Sequence, residues 1–165
     1  MNSEPIAFFL TWTVYGTFLQ GDERGWHRRK QGLQPQQLRL AEWRRERLKY
    51  DILELNLDQR SSVEREIRRL SAWRRWTLWA CSARSNHVHV VLSAQSCSGA
   101  TVRDQLKANC TRVLRSDWSE FCSRPVWSVG RDWKCVNRED DLERLVLYVN
   151  DAQDRKTRDN SPYVR

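Results

Sequence analysis

Residues 6–15 alternate with a period of two: Ile6, Phe8, Leu10, Trp12 and Val14 fall on one side, Ala7, Phe9, Thr11, Thr13 and Tyr15 on the other. Successive strand side chains point to opposite faces, and β-branched and aromatic residues suit a pleated surface, so this stretch predicts a first strand covered on both faces. Gly16, Gly21-Asp22 and Gly25 then mark a turn-rich loop carrying Trp26, His27 and the basic run Arg28, Arg29 and Lys30. Over 35–50 the chain turns polar and Arg-rich, with Leu40, Trp43 and Leu48 at loosely helical spacing, which predicts an exposed helix with a narrow buried stripe. Residues 52–55 fit a small strand or a turn. A helix is expected over 58–72, where Val63, Ile67 and Leu70 recur one turn apart and Asp58 offers a cap.

Two strands are predicted next, 75–83 and 87–94, joined by Arg84-Ser85-Asn86, a connection short enough for an antiparallel hairpin. Residues 101–115 read as a helix burying Val102, Leu106, Cys110 and Val113, with Arg103, Lys107, Arg112 and Arg115 on its polar side. The region 125–136 fits a ribbon of short strands or a structured loop around Gly130. A last helix over 139–153 buries Leu142, Leu145, Val146 and Val149, and 154–165 reads as a polar, loose tail. Strand, helix, strand, strand, helix, strand, helix is the order of an α+β fold: a ferredoxin-like or RRM-like split β-α-β unit, with helices packed on an antiparallel sheet. The 165 residues suit one domain spanning 1–165, and no repeat or low-complexity segment divides them.

Composition supports a folded chain: 39% of residues are hydrophobic and nine are Trp. An excess of 29 Lys plus Arg over 21 Asp plus Glu gives a net charge of +8, mostly from Arg, whose planar fork suits phosphate oxygens. A polyanionic partner follows, although a basic surface also serves solubility alone. The five cysteines lie far apart with no Cys-x-x-Cys pair, which argues against a zinc knuckle or a tight disulfide scaffold and fits a reducing compartment. Glu4 and Pro5 stand where a signal peptide wants basic residues, and no apolar run approaches a transmembrane length. The expectation is a cytoplasmic, nucleoid-associated protein without a membrane partner.

Chemistry concentrates at His87-Val88-His89. Period-two geometry sends both imidazoles to one face, from residues roughly 6–7 Å apart along the strand, a spacing at which inward-turned rings can share a cation, while Val88, Val90 and Leu92 take the other. A pair of this kind on a solvated face also occurs without metal, but two of the chain's three histidines fall here against an aliphatic opposite face. Tyr148 lies on the edge of the last helix's buried stripe, a place where tyrosines commonly serve packing. A phenol with a pKa near 10 is a weak nucleophile at neutral pH and needs a polarised electrophile, which a metal held by the histidines would provide.

Four segments taken together carry a resemblance: 8–17 (FFLTWTVYGT), 21–26 (GDERGW), 85–91 (SNHVHVV) and 148–154 (YVNDAQD). In this order they resemble the small single-tyrosine HUH transposases of insertion sequences, in particular their REP-associated tyrosine transposase relatives, across nearly the whole chain. The resemblance implies a metal-dependent endonuclease and strand transferase acting on single-stranded or hairpin DNA, working as a homodimer. It implies Tyr148 as nucleophile, forming a 5′-phosphotyrosine link and freeing a 3′-hydroxyl, and His87 and His89 as ligands of Mg²⁺ or Mn²⁺. Many members carry an Asn or Gln one turn after the tyrosine as third ligand; here that position is Ala152, so Gln153, and next Asp151, stand in for it. Tyrosine after the histidines departs from relaxases, and Asp151 three residues after Tyr148 departs from the Tyr-x-x-Lys of rolling-circle initiators.

Arg28, Arg29, Lys30, Arg103 and Lys107 are candidate phosphate contacts, and Trp26, Trp127 or Trp133 candidate base-stacking residues, although solvated arginines and core tryptophans read the same way. The main rival function is a domesticated, non-catalytic DNA- or RNA-binding module on the same fold, though an RNA-recognition sheet would carry aromatics where this one carries His87 and His89. A zinc hydrolase would want a third ligand, for which only His27 is at hand.

Overall fold

The alternation at the start of the chain becomes strand β1, Ala7–Thr13, extended by an isolated antiparallel bridge from Val14 to Trp127. The computed structural model describes residues 4–19, 21, 26–28 (backbone only), 31–130 and 133–151. The segment read as a turn-rich loop contains a two-stranded ribbon, β2 Trp26–Arg28 with β3 Gly32–Gln34, followed by helix α1 Leu38–Glu46. The expected stripe of Leu40, Trp43 and Leu48 does not form: Ala41 is the buried residue of α1, Trp43 is 44% exposed, Leu40 is half-buried, and Leu48 lies beyond the helix end.

Helix α2, Leu57–Arg74, starts one residue earlier than expected, and its cap is Asn56 rather than Asp58. Asn56 Oδ1 accepts from the Gln59 N–H at 2.9 Å while the Gln59 side chain accepts from the Asn56 N–H at 2.9 Å, a reciprocal arrangement that satisfies two otherwise orphaned donors. Strands β4 Thr77–Ala83 and β5 His87–Ser93 form the expected antiparallel hairpin. Helix α3, Gly99–Asp117, buries Val102, Leu106 and Cys110 but Leu114 in place of Val113, and a single 3-10 turn follows at Ser119–Phe121. Strand β6 is Trp133–Val136, and helix α4 is Glu139–Asp151.

The main sheet runs β4-β5-β1-β6, every neighbouring pair antiparallel. In chain order these are its second, third, first and fourth strands, the order of a ferredoxin-like α+β layer with helices packed on it. The ribbon and α1 are inserted between β1 and α2. Gly16, at φ +78°, lets this insert close on the sheet: a Cβ there would meet Leu48 Cδ1 at 2.9 Å and Ile52 Cγ1 at 3.0 Å.

The two faces of the sheet are unequal. Phe8, Leu10 and Trp12 of β1 and Val88, Val90 and Leu92 of β5 pack under α2 and α3 in a large apolar core with Val63, Ile67, Leu106 and Leu114. On the other face, among the described residues, α4 covers the sheet, setting Val149 on Ala80 and Val91 with Leu142, Leu145 and Val146 around them. This smaller core leaves His87, His89, Thr11 and Thr13 on the same face beyond it. Among the described residues no helix is long and apolar enough to cross a membrane. All five cysteines are free thiols.

Candidate active site

β5 carries His87 and His89 to the α4 side because Val88, Val90 and Leu92 are claimed by the larger core. Both imidazoles are buried, His87 at 9% exposure and His89 at 3%. Their ring centroids lie 4.6 Å apart at 66°. Burial in a strand interior would ordinarily be an expensive place for two polar rings, so what satisfies them decides their chemistry.

Each ring is held through Nδ1. The Thr11 hydroxyl, directly across β1 from His89, lies 2.9 Å from His89 Nδ1. Asn86 Oδ1 lies 2.6 Å from His87 Nδ1. An amide oxygen only accepts, so His87 carries its proton on Nδ1, which puts the lone pair on Nε2. The Thr11 hydroxyl can accept from or donate to His89 Nδ1; when it accepts, His89 has the same tautomer as His87, with its lone pair on Nε2. His89 Nε2 is buried and has no hydrogen-bond partner among the described residues. A buried acceptor left without a partner is uncommon in folded proteins, and histidines held through one nitrogen with the other turned inward are arranged as metal ligands commonly are. Burial, then the neighbouring His87 and Arg84, holds His89 well below the ordinary imidazole pKa, so the ring stays neutral and able to bind a cation. Phe9 closes one side, stacked on His89 at 5.4 Å and 24°.

Tyr148 arrives from α4. Its ring centroid lies 5.6 Å from that of His89, at 62°. The α4 stripe of Leu145 and Val149 rests on the sheet, and Tyr148, next to Val149, is swung to the histidine end of the small core. Partial burial raises the phenol pKa, opposed by the positive charge of Arg84.

The structure therefore brings His87, His89 and Tyr148 together. It does not bring the candidate phosphate contacts of α3 to them. Arg103 and Lys107 stand across the sheet, where Arg103 donates to the Gly130 carbonyl at 3.1 Å and pairs with Asp104, and Lys107 Nζ donates to the Ser128 carbonyl at 2.9 Å. With Arg115 and Trp127 they line a cavity of about 320 Å³. Two of the stacking candidates are packing residues. Trp127, 7% exposed, donates its indole N–H to the Lys107 carbonyl and meets Trp12 edge-on, and Trp133 packs edge-on against Phe8. Arg28 and His27 lie on β2, whose side chains are outside the described residues, as is Trp26; Arg29, Lys30 and Gln153 are likewise outside them. Asp151 is the last residue of α4 and is exposed. Among the described residues no group of three or more His, Cys, Asp or Glu side chains is arranged to hold a metal ion.

Sequence reasoning missed Thr11, Asn86, Phe9 and Arg84 as members of this site. Asn86 sits beside the histidine pair and had the clearest signal, a side-chain amide next to a ligand candidate. Thr11 and Phe9 enter only through the β1–β5 register. Comparison with known proteins finds no matching family model and no matching curated relative.

Proposed function

We propose that this protein is a single-tyrosine HUH-type DNA nicking and joining enzyme: a metal-dependent single-stranded-DNA endonuclease and strand transferase that acts as a transposase at hairpin or palindromic DNA. The observation that carries this reading is the contact of the Tyr148 ring with a neutral, buried His89 whose Nε2 has no partner among the described residues, beside His87. A base-binding sheet has no use for two imidazoles held through Nδ1 under a phenol.

In this reading the Tyr148 Oη attacks the phosphorus of a DNA phosphodiester. The new bond is O–P to tyrosine, the bond to the 3′-oxygen breaks, and the phenol's proton leaves to solvent while the 3′-oxygen takes one up. The 5′-phosphotyrosine conserves the bond energy, so a 3′-hydroxyl of another end reverses the step without a nucleotide cofactor. Mg²⁺ or Mn²⁺, held by Nε2 of His87 and His89 with Gln153 or Asp151 as further donor, would supply Lewis-acid polarisation of the phosphate. Oxygen donors from substrate and water suit the remaining positions around such hard ions. A homodimer acting at chromosomal DNA, in the cytoplasm at the nucleoid, belongs to the same reading.

The test offers the protein, with Mg²⁺ or Mn²⁺, a pool of labelled hairpin oligonucleotides bearing randomised single-stranded flanks. A covalent adduct that survives denaturing electrophoresis and vanishes in Tyr148→Phe is expected; sequencing the adducted DNA gives the site. Equal adduct from Tyr148→Phe rejects the nucleophile, and tight binding without adduct favours a domesticated DNA-binding module instead.

A further inference from the structure

Arg84 lies in the turn between β4 and β5, and its backbone continues their ladder. The pair Ala83–Val88 ends the register, and the Arg84 N–H donates to the His87 carbonyl at 2.7 Å, which sets Arg84 opposite His87. Ser82 pairs with His89, so the alternation 80, 82, 84 places Arg84 on the sheet face that carries both histidines and receives α4. Its charge is felt at His89 and at Tyr148 alike.

We infer that Arg84 is a substrate-contacting residue of this site, its guanidinium taking a non-bridging oxygen of the DNA phosphate that meets Tyr148. This rests on the strand-transfer reading and adds the group that binds the phosphate's charge. A guanidinium is always protonated and its fork matches phosphate oxygens, so it holds the anion in line with the phenol and stabilises the charge that grows on the oxygens in the transition state. Sequence reading placed Arg84 merely in a hairpin connection; the register turns it into a wall of the site.

The experiment uses the full chain and the DNA site recovered from the oligonucleotide pool, with Mn²⁺, under single-turnover conditions. Arg84→Ala is expected to slow adduct formation by about 10²–10³-fold, the loss typical of removing one such donor, and Arg84→Lys by less. Stereopure phosphorothioates at the scissile linkage separate contact from support. In the wild type one diastereomer should react more slowly than the other, and that difference should collapse in Arg84→Ala. Identical stereoselectivity in both proteins, or an unchanged rate in Arg84→Ala, overturns the assignment while the Tyr148-dependent adduct keeps the enzyme reading intact. A wild type that forms no adduct on any pool member overturns both. Unfolding midpoints are compared throughout, and if Arg84→Ala does not fold, Arg84→Lys carries the same stereochemical comparison.

Discussion

Thr11 and His89 face each other across β1 and β5, and the hydroxyl is the hydrogen-bond partner that holds the imidazole through Nδ1. Thr11→Val keeps the shape and removes the hydroxyl, leaving the buried His89 Nδ1 unpaired. An unfolding-free-energy loss of about 1–3 kcal/mol is expected, and, under the proposed metal-dependent function, Mn²⁺ affinity weakened by about 10–100-fold, the loss typical when the hydrogen-bond partner of a ligating histidine is removed. Denaturant titration and calorimetric Mn²⁺ titration measure the two effects separately.

His89 also makes stability depend on pH. Its folded pKa is depressed, so below the ordinary value of 6.5 the unfolded chain takes up a proton that the folded chain refuses. Stability contributed by this residue is therefore complete above about pH 6.5. It falls as the pH drops below that value, by up to about 1.4 kcal/mol per unit, until the folded-state pKa is reached. Metal-free wild type should lose stability between pH 7 and 5 more steeply than His89→Leu; parallel slopes in urea titrations would remove His89 as the cause.

At the level of elements, α4 is the piece on which the site depends, because among the described residues it is the helix that covers the histidine face, and it carries Tyr148. Its first turn holds Glu139, Asp140 and Asp141, which favour the helix N-terminus, and Val149 seats it on Ala80 and Val91. The opposite layer is anchored more tightly. Gly99, at the start of α3, packs under Trp133 of β6, and a Cβ there would fall 2.3 Å from the indole ring. Gly99→Ala is expected to cost about 1–3 kcal/mol, as overpacking does, read as a lowered denaturant midpoint with an unchanged slope.

Elements with a strong period were legible in the chain. The alternation of β1, β4 and β5 and the helical stripes of α2, α3 and α4 reflect burial on one or both faces, which leaves its mark on composition. The β2–β3 ribbon left none, since three-residue strands in a Gly-rich stretch look like turn. Asn56 and Asp58 both suit a cap; Gln59 lies three residues after Asn56 and so closes a capping box only there. Val113 and Leu114 are adjacent apolar residues, and a 19-residue helix drifts enough that only packing against α2 and β1 selects Leu114.

For the whole molecule, the proposed DNA-acting function makes the basic charge testable. A net +8 is expressed in part on the α3 side, where Arg103, Lys107 and Arg115 line a cavity while tied to carbonyls of the 121–130 segment. Those ties make them braces for that segment as well as positive surface. DNA affinity should fall steeply with added salt, because each neutralised phosphate releases counterions. A flat dependence of the dissociation constant between 50 and 200 mM salt, about the range over which such contacts act, would remove nucleic acid as the partner.

Two imidazoles on one strand face, a tyrosine on the rim of a helical stripe and an α+β order of elements were determined by the sequence alone, since each follows from local periodicity. Their meeting was decided by tertiary structure. Whether Tyr148 reaches His89 depends on α4 docking on the histidine face rather than beside α2 and α3, and that follows from which face the larger core has already filled. Thr11, Phe9 and Arg84 join the site through strand register. Cross-strand neighbours are far apart in sequence or hidden in a turn, and pairing is a property of the assembled sheet.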